Sequence, residues 1–154
     1  MLKTVLTLAL ASCVVTPAAL AAPPAASLAL NCDAGTAPAG AEPPNLHGSW
    51  DFLMVPRGMP SFGLMSIGFV GAEYGGSLMP SRTAPVVVRK ITLNGQDIEM
   101  AVASREGDVL FKGRLSAKGD FMCGSVTYHG GESFPMVAHK RPSGYQSLPQ
   151  ALRG

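Results

Sequence analysis

The side chains of this chain best suited to metal or nucleophilic chemistry are three cysteines, Cys13, Cys32 and Cys123, and three histidines, His47, His129 and His139. A zinc site needs three or four closely placed ligands. The histidines are scattered and no Cys-x-x-Cys occurs. Serine hydrolysis needs an activated nucleophile, yet neither Gly-x-Ser-x-Gly nor Ser-x-x-Lys is present. Gly71-Ala72-Glu73-Tyr74-Gly75-Gly76 has the glycine content of a phosphate loop but no helix behind it to supply amide donors. The expectation is therefore no catalytic residue, no metal and no cofactor.

The cysteines carry a different message. Lys3, the apolar run Thr4 to Thr16 of about 13 residues, the breaker Pro17 and the small residues of Ala19-Leu20-Ala21 follow the order of a secretory leader. The run is too short to span a bilayer as a helix. Cleavage after Ala21 is the preferred reading, making residues 1–21 a signal peptide. Leu10-Ala11-Ser12-Cys13 also resembles a bacterial lipobox, which would leave Cys13 acylated as the new N-terminus and anchor the protein in the envelope. Under both readings Cys32 and Cys123 remain as a pair, and in an exported chain such a pair is most simply a disulfide. The protein is expected in the periplasm or outside the cell.

The remaining sequence must build one domain. Its 154 residues are enough for one core, and the formal charge of +2 falls to +1 when Lys3 leaves with the leader. The longest basic runs are the pairs Arg89-Lys90 and Lys140-Arg141. That balance offers no electrostatic footprint for nucleic acid and no polybasic face for a membrane. Residues 22–44 are rich in Ala, Pro and Gly and read as a linker or arm. Residues 45–142 switch to short alternating runs separated by glycine turns, the texture of an all-β domain. Residues 143–154 form a polar tail.

Eight strands are expected, near 48–55, 62–70, 73–79, 86–93, 97–104, 108–116, 120–129 and 133–141. The clearest hairpin signal is Asn94-Gly95. After it Ile98, Met100 and Val102 alternate with Asp97, Glu99 and Ala101, and Val109, Phe111, Gly113 and Leu115 with Asp108, Lys112 and Arg114. Charges on the outward face exclude a lipid-facing barrel. The fourth strand changes phase between Val88 and Ile91, which predicts a β-bulge at Arg89-Lys90. For the last hairpin, a three-residue turn at Gly130-Gly131-Glu132 pairs His129 with Ser133, Val126 with Met136 and Gly124 with Ala138, and sets His139 opposite Cys123. Glycine recurs before aliphatic residues inside strands, at Gly76, Gly113 and Gly124, as sharp coiling requires. Sequential short strands with tight turns favour a small antiparallel up-and-down barrel, which leaves no open edge.

Gly48-Ser49-Trp50 opens the first strand and Lys140-Arg141 closes the last. This resembles the calycin pattern of lipocalins and their relatives. The resemblance implies that Trp50 lies at the closed barrel base and that Arg141, ahead of Lys140, covers its ring. The chain is shorter than a typical lipocalin and lacks a second lipocalin motif. Its texture is also similar to small β domains appended to exported bacterial hydrolases, and its outline to exported metalloprotease inhibitors with an N-terminal arm and one disulfide.

Candidate barrel lining comes from Trp50, Phe52, Met54 and Met65 in the first two strands, Met100 and Phe111 in the middle, and Tyr128 and Met136 in the last hairpin. Thioethers adapt to varied apolar ligands, although barrels of this size are often filled by their own side chains. Strands this short favour a packed core, with a small apolar ligand at one mouth as the sharper reading. The expected function is non-enzymatic: binding of a small apolar ligand or of an exported partner. The alternative is an inhibitor or accessory subunit of an exported enzyme, acting through the arm.

Overall fold

A computed structural model of the chain describes residues 27–28, 32, 35–37 and 42–143. The leader, the lipobox cysteine Cys13 and the tail from residue 144 lie outside the described residues. Eight strands follow in order: β1 (Gly48–Met54), β2 (Ser61–Val70), β3 (Glu73–Pro80), β4 (Val86–Asn94), β5 (Asp97–Ser104), β6 (Gly107–Leu115), β7 (Phe121–Thr127) and β8 (Ser133–Lys140). Each pairs antiparallel with the next, and β8 returns to β1, so the sheet closes into an up-and-down barrel without a free edge. Among the described residues no helix is long and apolar enough to cross a membrane.

Alternation decides which side chains point inward. In β5, Ile98 and Met100 are buried while Asp97 and Glu99 are exposed; in β6, Val109, Phe111 and Leu115 are buried while Asp108, Lys112 and Arg114 are exposed. The outward charges pair across the strands: Lys112 meets Glu99 at 2.9 Å and Arg114 meets Asp97 at 3.4 Å, each directly opposite in the register. Such exposed pairs contribute about 0.2–1 kcal/mol each. Their main effect is to keep this wall wet.

The β4 bulge falls where the change of phase places it. Val88 pairs with Val102 and Lys90 with Ala101, so one residue of β4 has no counterpart on β5. The same extra residue shifts the register toward β3 between Tyr74 and Gly76. Without it Ile91 would turn outward. The Asn94-Gly95 hairpin forms one residue later than a turn centred on Asn-Gly: Asn94 pairs with Asp97, and Gly95 takes the first central position with φ +60°. A glycine with positive φ at that position is the type II′ arrangement.

Gly113 and Gly124 face each other across β6 and β7. A Cβ on Gly113 would lie 2.3 Å from the Cys123 carbonyl oxygen, and one on Gly124 would lie 2.2 Å from that of Lys112. The two strands coil too closely for any side chain there. The Phe111 ring takes the interior space this frees, its Cζ 2.6 Å from where a Gly113 Cβ would be.

The last hairpin corrects the expected register. Thr127, not His129, pairs with Ser133, so Gly124 faces Met136 and Met122 faces Ala138. The turn spans Tyr128 to Glu132 and is closed by the Tyr128 N–H donating to the Glu132 carbonyl at 2.9 Å. A slip of two residues preserves every inward and outward assignment. It also moves His139 away from Cys123 and opposite Phe121, whose ring it meets at 4.6 Å between centroids.

Candidate functional site

The two ends of the barrel are built differently. At the base enter the segment before β1 and the β2–β3, β4–β5 and β6–β7 turns, and here β8 leaves. Trp50, Leu46, Met65, Ile98, Leu115 and Met122 pack there with no measurable exposure. Leu46 plugs the end, and its carbonyl accepts the Trp50 indole N–H at 3.0 Å. The indole is thus buried with its one donor satisfied.

The basic residue over the indole is Lys140, with Nζ 5.8 Å from the ring centroid. This corrects the expectation of Arg141. Trp50 and Lys140 are register partners, so both side chains face inward. Arg141 follows on the opposite face, where its guanidinium donates to both carboxylate oxygens of Asp51, at 2.7 and 2.9 Å. Those hydrogen bonds hold the Asp51 carboxyl below its ordinary range. Burial lowers Lys140 from its ordinary value, and its ammonium donates to the Asn45 carbonyl at 2.6 Å.

The described part of the arm seals the same end. Cys32 and Cys123 form a disulfide across a sequence separation of 91 residues. Cys123 points outward from β7, yet it is buried. Gln96, in the β4–β5 turn, accepts from the Ala37 N–H at 2.9 Å and donates to the carbonyls of Gly35 and Leu115 at 3.1 and 2.8 Å. Pro44 lies against Gly119 in the β6–β7 turn. Cys32, Gly35, Ala37 and Pro44 of the arm thus all meet the base.

The mouth holds a cavity of about 420 Å³, inside the roughly 300–1,000 Å³ range of small-ligand sites. Met54, Leu78, Val109, Val126 and Met136 form its wall, and Phe111 and Met100, each nearly fully buried, its floor. The β1–β2 loop adds Pro56, Met59 and Pro60, and the β3–β4 loop adds Arg82 and Thr83. Ser61, Ser104 and Tyr128 supply hydroxyls at the rim. Burial pushes the Tyr128 phenol above its ordinary value. Arg57 pairs with Glu132 across the rim, and Ser104 Oγ meets His129 Nε2 at 2.8 Å.

Of the eight candidate lining residues, Met54, Met100, Phe111, Tyr128 and Met136 line this cavity. Trp50, Phe52 and Met65 are buried below it in the packed part of the barrel. Sequence reasoning missed Leu78, Val109 and Val126, whose inward parity was readable, and the two loops, marked by Pro56 and Pro60 in one and by Pro85 in the other. The three histidines do not converge: His129 is at the mouth, His139 on the outer wall, and His47 just before β1 at the base.

The class these features define is a closed eight-stranded antiparallel up-and-down β-barrel, sealed at one end and hollow at the other. No protein-family model matches the chain, and no curated protein matches it. Among solved structures it is similar to a redesigned β-barrel, with a TM-score of 0.50 and 17% identity over 63% of this chain and 92% of that one. At that identity the likeness shows the fold alone.

Proposed function

We propose that this protein is an exported, calycin-like binding barrel that takes up a small apolar molecule at its mouth and acts by binding, not catalysis. The observation that carries the reading is the cavity: a space of about 420 Å³, walled by aliphatic and thioether side chains, in a barrel otherwise filled to its base. Trp50 buried at the base beneath a last-strand cation supports the calycin reading. The leader pattern of residues 1–21 supports export, and the Cys32–Cys123 disulfide suits an oxidising compartment. An inhibitor acting through its arm finds less support, because Cys32, Gly35, Ala37 and Pro44 are all engaged with the barrel base.

The test is fluorescence titration of the purified, oxidised protein with N-phenyl-1-naphthylamine, a neutral apolar dye. Saturable uptake at one dye per barrel is expected, together with weaker uptake in Val126→Phe, whose larger ring narrows the cavity. A folded wild-type protein that takes up no dye overturns the reading.

A further inference from the structure

Resting on that reading, we infer that the mouth accepts a single-chain amphiphile with a carboxylate head, its chain inside the barrel and its head on Arg82. The argument is one of charge. Arg82 is the only charged residue among those that line the cavity, and it has no ion pair or hydrogen bond among the described residues. The other charges at this end are balanced or stand aside. Glu132 is neutralised by Arg57. Arg105 and Glu106, adjacent and of opposite sign, sit on the β5–β6 turn and do not line the cavity. Among the described residues no carboxylate lines the cavity.

An apolar cavity with one uncompensated positive charge at its aperture complements a ligand with the reverse arrangement: a hydrocarbon body and one negative charge at its end. A guanidinium forks onto a carboxylate through two parallel hydrogen bonds. At an exposed rim this head group stays hydrated on its outer side and escapes the cost of burying an ion. The Tyr128 phenol and the Thr83 hydroxyl add donors among the lining residues. A quaternary ammonium head would meet repulsion, and a hydroxyl head would forgo the charge-assisted bonds. The volume of about 420 Å³ leaves room for one chain, not for a diacyl lipid.

The experiment displaces N-phenyl-1-naphthylamine with decanoate, decan-1-ol or decyltrimethylammonium, all below micelle-forming concentrations, from wild type, Arg82→Gln and Arg105→Gln. Decanoate is expected to displace the dye best and decyltrimethylammonium worst. Arg82→Gln is expected to weaken decanoate roughly three- to tenfold, the scale of a partly exposed charge-assisted pair, while decan-1-ol stays within about twofold. Arg105→Gln, which removes the same charge from the same end, is expected to leave all three unchanged. Equal weakening by both variants, or none by Arg82→Gln, overturns the head-group assignment while dye uptake still upholds the cavity. Failure of the dye itself to bind removes the underlying reading instead.

Discussion

The base and the mouth are cut from the same eight strands, yet one is a packed core and the other encloses a cavity. At the base, Trp50, Leu115 and Met122 fill the cross-section, and a segment from outside the barrel inserts Leu46 as a stopper. At the mouth the inward positions carry Leu78, Val109 and Val126, and no segment among the described residues plugs the end as Leu46 does at the base. The glycine pair Gly113 and Gly124 lies between the two, letting the Phe111 ring form a floor. Packed core and open cavity are therefore separated along the barrel axis, and substitutions at the two ends should have different effects.

The largest expected effect is at the base. Trp50→Ala removes a fully buried indole and leaves the Leu46 carbonyl without its donor, so a loss of about 3–5 kcal/mol is expected in denaturant unfolding. A loss below about 1 kcal/mol would mean that the base is not the core. Next is the disulfide. Replacing Cys32 and Cys123 by serine should cost about 2–4 kcal/mol through the entropy of the unfolded chain, with dye binding at the mouth unchanged once the protein is folded. Thiol labelling of the native protein should find neither cysteine free.

Lys140→Ala should cost less, about 0.5–2 kcal/mol from the lost cation–π contact. A double-mutant cycle with Trp50→Ala should be non-additive, and the same cycle with Arg141→Ala should be additive. At the mouth, Val126→Phe should change stability by no more than about 1 kcal/mol, because its larger ring enters existing space, while weakening dye uptake. The smallest effect concerns pH. Asp51 has its folded-state pKa lowered by Arg141, so the pair contributes stability above the ordinary carboxylate range. That contribution is lost as pH falls through the lowered value. Arg141→Ala should flatten this acid limb slightly, since both partners are about half exposed.

Much of this architecture was legible in the chain. The strands, the β4 bulge and the inward faces of β5 and β6 follow from alternation, a strong signal where one face is wet. Two errors have different causes. The last hairpin was expected two residues out of register, and a shift by two keeps every inward residue inward, so self-consistency alone could not detect it. Loop length decided it, through the Tyr128 to Glu132 hydrogen bond. Arg141 was preferred over Lys140 on resemblance, although Met136 and Ala138 already fix the parity that puts Lys140 inside. The cavity was less legible. Inward hydrophobics look alike at both ends, and the difference comes from an inserted segment at one end and from loops folded over the opening at the other.

An even number of sequential strands has one more consequence. The chain enters β1 and leaves β8 on the same side, where Asn45 and Lys140 touch. A partner or tether joined directly before Asn45 or after Arg141 is therefore joined to the sealed floor of the cup. Held that way, the opening points away from its support.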